Sequence, residues 1–195
     1  MRSCKLPKGI QRMPISELRT SDQQRSRNRV SHGFQGFEIK PRAKTDNLMK
    51  FMLIFRVDKK FRTSGRVVKV SYYQNVYDEG VTTFYTNIFQ TNFDGRPSPN
   101  HYKPAKYARC DVQRGGINEC VIDIKFNIND VIGVFFPENS AIPYSQGCSS
   151  EEEDSTQLSI SKEPIENLEA IMLQPVEFYK VDCREYSLNF TYVFD

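Results

Sequence analysis

The run from Asp130 to Tyr144 constrains the fold of this chain more than any other segment. Val131–Phe136 is short and almost wholly apolar, and Pro137 ends it before a turn-rich loop leads to Tyr144. Continuous hydrophobicity over so few residues predicts a strand buried on both faces, because a half-buried strand would alternate apolar and polar residues. The segment therefore predicts an all-β domain with a packed interior.

Composition supports the same fold class. The chain has 14 Phe, 10 Tyr and no Trp, together with 10 Gly and 10 Pro. Aromatic residues are enriched in strands, and Gly and Pro are enriched in the turns between them. We expect an all-β domain that forms a two-sheet antiparallel sandwich, jelly-roll-like, with about eight strands.

The charge of the chain is distributed unevenly. Residues 1–30 hold eight basic and two acidic side chains, a net +6, so the remaining residues carry −3 of the total +3. We interpret residues 1–33 as a basic disordered tail or linker and residues 34–195 as the sandwich domain. The tail lacks aromatic side chains for stacking on bases, so we expect no nucleic-acid partner. A run rich in Ser and acidic residues predicts a flexible acidic loop at 145–163.

Alternating segments predict the individual strands. In the last of them, Tyr186–Phe194, alternate residues share one face: Tyr186, Leu188, Phe190, Tyr192 and Phe194 should face the core, and Asn189 and Thr191 should face solvent. The Ala170–Leu173 segment is also predicted to be a strand, and Thr91–Pro104 is predicted to be a loop. No apolar run approaches the roughly 20 residues that a membrane-spanning helix needs.

The five cysteines bear on the cellular compartment. Gly115 and Gly116 predict a tight turn in a hairpin that would bring Cys110 and Cys120 together, and elimination pairs Cys148 with Cys183. Pairing of Cys110 with Cys148 or Cys183 is the other possibility. Two disulfides with Cys4 left over favour an oxidising compartment, and five reduced thiols in the cytoplasm are the alternative.

Two further features concern an extracellular setting. Asn189 begins the Asn-Phe-Thr glycosylation sequon, on the predicted outer face of its strand. The first residues lack the apolar segment of a signal peptide. An extracellular or cell-surface domain therefore implies a fragment that lacks its signal peptide.

Motifs for catalysis and for cofactors are missing from the sequence. It contains no Gly-x-Ser-x-Gly motif and no phosphate-binding loop, so we expect no catalytic residues, no cofactor and no enzyme activity. The cysteines lack paired ligand spacing, and only two histidines occur, so we expect no metal site. The adjacent carboxylates of Glu151–Asp154 lack the spacing and the glycine of a calcium loop.

Recognition should therefore fall to loops at one end of the scaffold, chiefly Thr91–Pro104 and Pro137–Cys148. The first loop mixes apolar and polar side chains that suit an interface, and its prolines lower the cost of ordering. The candidate ligand-binding residues are Phe93, Asp94, Arg96, His101 and Tyr102. The alternative is that these are ordinary connections and that Phe93 caps the core.

Several segments, in this order, resemble one known module. They are Gly36–Pro41, Lys50–Arg56, Asn129–Gly133, Phe136–Pro137 with Ile142–Tyr144, and Arg184–Leu188. Together they are similar to an extracellular β-sandwich module of marine-invertebrate mosaic cell-surface proteins. In that family the residue before Asp130 is usually glycine, where this chain has Asn129, and Phe37 and Phe55 stand where tryptophans are common. The acidic insertion after Cys148 is long.

The resemblance implies an adhesion or receptor-ectodomain role without catalysis. We therefore expect a non-catalytic binding module whose partner is a protein or a glycan, with no membrane span in this chain. An intracellular adaptor with reduced cysteines is the alternative. A glycan-binding module is the third hypothesis, with Tyr72, Tyr73, Tyr77 and Tyr85 as candidate stacking residues.

Overall fold

In a computed structural model, most of the described residues form β-strands. The structure describes residues 31–44, 50–55, 59–75, 83–93, 100–112, 115–138, 142–146, 158–181 and 184–195. The strands are β1 His32–Gly36, β2 Phe51–Phe55, β3 Gly65–Gln74, β4 Thr83–Gln90, β5 His101–Asp111, β6 Gly116–Phe126, β7 Val131–Phe136, β8 Tyr144–Gln146, β9 Leu158–Ser161, β10 Val176–Val181, β11 Arg184–Tyr186 and β12 Leu188–Phe194. One short helix, α1, spans Leu168–Ile171. The all-β prediction is confirmed.

The strands pair antiparallel in three sheets. One sheet has four strands in the order β1-β12-β3-β6. A second sheet has six strands in the order β10-β5-β4-β7-β2-β9, and it closes on itself because β9 pairs with β10. The short strands β8 and β11 form the third sheet, which a bridge between Lys44 and Tyr144 ties to the segment after β1.

Strand β7 lies inside the six-stranded sheet, between β2 and β4. All six of its residues are buried, as the continuous hydrophobic run predicts. Gly133 is required for this packing, since a Cβ atom there would stand 2.0 Å from the carbonyl oxygen of Leu53 and 2.8 Å from the ring of Phe89. The opposite faces of β7 enter two different hydrophobic cores.

The first core lies between the four-stranded sheet and one face of the six-stranded sheet. It receives Ile132, Val134 and Phe136 from β7. From the four-stranded sheet it receives residues such as Val70 of β3 and Phe190 of β12, whose ring lies 5.7 Å from that of Phe55. The predicted burial of Tyr186, Leu188 and Phe190 is confirmed, but Ser187 divides the predicted strand, so Tyr186 belongs to β11 and the other two belong to β12. Tyr192 and Phe194 are half-buried beyond a register shift at Thr191.

The second core lies on the other face of β7, inside the closed six-stranded sheet. Val131 and Phe135 of β7 meet Phe89 and Phe178 there. Helix α1 covers part of this core with Leu168. The helix begins at the cap residue Asn167, whose side-chain oxygen accepts hydrogen bonds from two backbone amides.

Several sequence predictions of local structure are wrong. Twelve strands are present among the described residues instead of about eight, because the short strands β8, β9 and β11 carry too few residues to show a pattern. The Ala170–Leu173 segment is not a strand, because the Asn167 cap starts α1 just before it. Residues 101–104 belong to β5 instead of a loop. Residues 145–146 and 158–161 form strands within the predicted acidic loop.

The prediction for Cys110 and Cys120 is right in outcome and wrong in its reason. Their sulfur atoms lie at disulfide distance, with 5.7 Å between the Cα atoms. The strands that carry them are not a hairpin: β5 pairs with β4 and β10, and β6 pairs with β3. The cysteine pair therefore links the two larger sheets across the edge of the first core.

Other predictions fall outside the described residues. These are the tail at 1–30, the acidic run Glu151–Asp154 and the proposed pair of Cys148 with Cys183. The first strand begins at His32, two residues before the predicted start of the domain. Within the described part of the chain, no helix is long and apolar enough to cross a membrane.

Candidate binding groove

The predicted binding residues lie in different environments. Asp94 and Arg96 fall outside the described residues. Phe93 and His101 are half-buried, and His101 starts strand β5, where it is in register with Glu177. Tyr102 is only 9% exposed, and its ring packs edge-on against Phe178 in the second core. Replacing Tyr102 would remove core contacts, so a loss of binding in that variant could not be assigned to a lost contact with a ligand.

The tyrosines of the glycan hypothesis also differ in how far they are buried. Tyr72 is fully buried in the first core, Tyr73 is half-buried, and Tyr77 lies outside the described residues. Tyr85 is half-buried and lines a groove of about 290 Å³ at the open end of the second core. We call this the aromatic groove. It lies between α1 and the face of the closed sheet formed by β4, β5 and β7.

Three aromatic side chains from neighbouring strands form the floor of the aromatic groove. The ring of Tyr85 lies edge-on to Tyr107, with 5.7 Å between centroids, and is tilted against Phe135 at 6.2 Å. The sheet register produces this arrangement, because Tyr85 is directly opposite Phe135 and lies diagonally from Tyr107. Tyr107 is 38% exposed and offers an apolar ring with a polar tip.

A strained residue holds the rim of the aromatic groove. Lys50 has φ of 65°, in the left-handed region that bulky side chains rarely adopt. Its backbone amide donates to Phe136 (2.7 Å), and its carbonyl accepts from Ile165 (2.6 Å), so both neighbouring segments fix this conformation. The Lys50 side chain forms an ion pair with Glu166 across the rim. Leu173 has a similar φ of 69° outside the groove, so this conformation fixes the position of the rim and does not by itself mark a functional site.

A buried amide lies next to the aromatic floor. Asn87 is on the same face of β4 as Tyr85, and it is in register with Tyr107 on one side and Gly133 on the other. Its amide nitrogen donates to the Tyr85 carbonyl at 3.1 Å, while its side-chain oxygen has no hydrogen-bond partner among the described residues. This oxygen is therefore an unused hydrogen-bond acceptor beside the aromatic floor.

A second cavity of about 360 Å³ lies beside the aromatic groove, and Tyr107 lines both. We call it the basic cleft, because its wall carries Arg66, Lys106 and Lys125. Arg66 is neutralised by Asp123, with a 2.6 Å hydrogen bond, and this pairing raises the pKa of the guanidinium. Lys106 donates to the backbone carbonyl of Lys125 at 3.1 Å. Neither lysine has a carboxylate within ion-pair distance in the described part of the chain.

The buried carboxylate of Asp130 has a structural role. It accepts a 2.8 Å hydrogen bond from the backbone amide of Asn127 and closes the turn that leads into β7. Burial raises the pKa of Asp130, and the Asn127 amide and the charge of Lys106 oppose that shift. Asn129 in this turn has φ of 70°, which asparagine tolerates better than most residues do.

The chemistry of these two cavities suits binding. Within the described residues, no group of three or more His, Cys, Asp or Glu side chains could hold a metal ion. The aromatic groove offers an apolar floor with carboxylates at its rim, and the basic cleft offers two lysine ammonium groups.

Asn189, the sequon residue, lies outside both cavities. It is half-buried on the face of β12 opposite Phe190, in register with Ser71.

Tyr85 was predicted from the sequence as a candidate stacking residue, whereas Tyr107 was not. The segment around Tyr107 shows only the alternation of an ordinary strand, and its exposure depends on which strands flank β5. The cluster Lys103, Lys106 and Arg109 was a usable signal, because three cations within one strand indicate an exposed surface.

Comparison with known proteins finds no matching family model, no matching curated protein and no matching solved structure. A function for this chain must therefore be inferred from the chemistry of its site.

Proposed function

We propose that this chain is a non-catalytic binding module of an extracellular or cell-surface protein, with an adhesion or receptor role, and that its ligand binds in the aromatic groove. The observation that carries the proposal is the floor of Tyr85, Tyr107 and Phe135 at the open end of a core. Concave sites with an apolar lining and a few polar groups are the usual form of binding sites.

The cysteine pair supports the extracellular part of the proposal. Cys110 and Cys120 lie at disulfide distance, and a bond there would join the two larger sheets. Disulfides persist in oxidising compartments and are rare in the cytoplasm. The rival is an intracellular adaptor in which both thiols are reduced. Alkylation of the native protein purified from its own source, followed by mass spectrometry, separates the two: protected cysteines support the proposal, and alkylated ones contradict it.

We also infer that the fold is a variant of the two-sheet sandwich, related to a jelly roll. Its four-stranded sheet packs on one face of the six-stranded sheet, as in a sandwich, and the six-stranded sheet additionally closes on itself. We further propose that the resemblance of segments such as Asn129–Gly133 to the marine-invertebrate module reflects a shared sandwich architecture. A glycan at Asn189 belongs to the same proposal, and a mass decrease after enzymatic deglycosylation of secreted protein would test it.

The binding proposal is tested with arrays of defined oligosaccharides and of peptides. We expect the oxidised domain to bind a subset of these probes, and Tyr107→Ala to weaken that binding at least tenfold. The matched control is Tyr179→Ala, which removes an exposed tyrosine from β10 outside the groove.

Equal binding by Tyr107→Ala and the wild-type domain would show that the ligand site is elsewhere, for example in the loops at one end of the sheets. Absence of binding to both arrays would contradict the proposal as a whole.

A further inference from the structure

We propose that the ligand is an acidic oligosaccharide, in which one sugar ring stacks on Tyr107 and a neighbouring carboxylate or sulfate group lies in the basic cleft. This inference rests on the proposed function and adds the chemical class of the ligand. Its basis is the position of Tyr107, which lines both the aromatic groove and the basic cleft.

The aromatic groove has the chemistry that a sugar ring requires. A pyranose ring presents C–H groups on one face and hydroxyl groups at its edge. The Tyr107 ring, fixed edge-on by Tyr85, provides an apolar platform for that face. Glu166 and Glu169 lie at the rim, and carboxylates accept hydrogen bonds from hydroxyl groups.

The same carboxylates oppose an anionic group inside the aromatic groove. Lys50 neutralises Glu166, whereas Glu169 has no ion-pair partner among the described residues, so this end of the site is acidic. A neutral, hydroxyl-bearing ring is compatible with this end. An anionic substituent on the ligand must therefore extend away from α1, toward the opposite side of Tyr107.

The basic cleft lies on that opposite side. Lys106 and Lys125 are exposed there without carboxylate partners in the described part of the chain, and Lys106 already donates to the Lys125 carbonyl, which orients it. The negative charges close to this cleft are Asp123, which is paired with Arg66, Asp195, whose charge also acts on Arg66, and the buried Asp130. The two lysine ammonium groups are therefore the cations of the cleft that no carboxylate contacts within the described residues, and they are the groups that an anionic substituent would contact.

The test measures binding of three soluble probes by calorimetry: a sulfated glycosaminoglycan hexasaccharide, the same hexasaccharide without its charged groups, and an acidic peptide of equal charge. We expect the charged hexasaccharide to bind at least tenfold more tightly than either of the other two. Its affinity should fall as salt increases, because salt screens the exposed lysines.

Two variants with matched controls assign the contacts. The double change Lys106→Gln and Lys125→Gln should weaken binding of the charged hexasaccharide at least tenfold and reduce its salt dependence. The control, Lys59→Gln with Lys180→Gln, removes the same charge at two exposed positions outside both cavities and should leave affinity within twofold. Tyr107→Ala should weaken binding at least tenfold, and Tyr179→Ala should not.

Each contrary outcome has a separate meaning. If Tyr107→Ala weakens binding but the lysine double variant does not, or if the uncharged hexasaccharide binds equally well, the acidic-sugar inference is wrong while the proposed groove stands. If the acidic peptide is the tighter ligand, the occupant is a protein segment and the inference is overturned. If Tyr107→Ala binds every probe as the wild type does, the proposed groove itself is wrong.

Discussion

The two faces of strand β7 lead into two different interiors. On one face, Ile132, Val134 and Phe136 enter a core that the four-stranded sheet closes. On the other face, Phe135 is almost as deeply buried, yet it forms part of the floor of an open groove. The first core is covered by a whole sheet, whereas the second is covered at this end by a helix of four residues. A short cover leaves aromatic surface accessible, so the proposed binding site lies on the face of β7 opposite to the closed core.

The largest expected effect is in the closed core. Phe190→Ala should lower the free energy of unfolding by about 3–5 kcal/mol, because a fully buried ring that packs on Phe55 leaves a cavity in a well-packed core. Urea denaturation followed by circular dichroism measures this. An unchanged melting temperature would show that the four-stranded sheet does not cover the core as described.

The link between the two larger sheets should contribute somewhat less. Closing the ten-residue separation between Cys110 and Cys120 stabilises the oxidised domain by about 2.5–3 kcal/mol through loss of chain entropy in the unfolded state. The measurement compares denaturation midpoints of the oxidised protein and the protein held in reductant. Equal midpoints, with mass spectrometry showing reduction in one sample only, would contradict this expectation.

The next largest effect on stability is expected from overpacking around β7. Gly133→Ala would place a Cβ atom against the Leu53 carbonyl and the Phe89 ring, so the strands must move apart, at a cost of about 1–3 kcal/mol. Gly133 lies on the face of β7 that enters the second core, so the cost measures how tightly that core is packed. A variant as stable as the wild type would mean that this core is loosely packed along its whole length.

The turn that enters β7 should make stability depend on pH. Burial raises the pKa of the Asp130 carboxyl in the folded state. Below the unfolded value of about 3.8 the carboxyl is protonated in both states and costs no stability, and the free energy of unfolding falls as pH rises through the folded pKa. Asp130→Asn should therefore flatten the stability profile above pH 3.8, with stability at neutral pH equal to or above that of the wild type. Denaturation at several pH values tests this, and parallel profiles for the two proteins would contradict a raised pKa.

The smallest effect is expected at the open end of the second core. Tyr107→Ala should lower the free energy of unfolding by no more than about 1.5 kcal/mol, because the ring is partly exposed and loses mainly its edge-on contact with Tyr85. The same denaturation experiment used for Phe190→Ala measures it. A loss comparable to that of Phe190→Ala would make Tyr107 a core residue and remove the distinction between the two interiors.

Much of the strand pattern is readable from local sequence. The uninterrupted run Val131–Phe136 predicted a strand with two buried faces, and alternation predicted the inward positions Leu188 and Phe190. The helix α1 was missed because its four residues are too few for a helical period. Tyr102 and Tyr107 could not be separated from sequence, since both lie on β5 and only the flanking strands make one buried and the other exposed.

Periodicity along the chain was enough to predict the fold class and the buried strand β7. The folded structure was needed to show that β5 and β6 lie in different sheets yet bring Cys110 and Cys120 together, that the six-stranded sheet closes, and that Tyr85, Tyr107 and Phe135 meet in a groove. The physical reason is that strand register and sheet order are set by contacts between residues far apart in sequence. Local patterns do not encode those contacts.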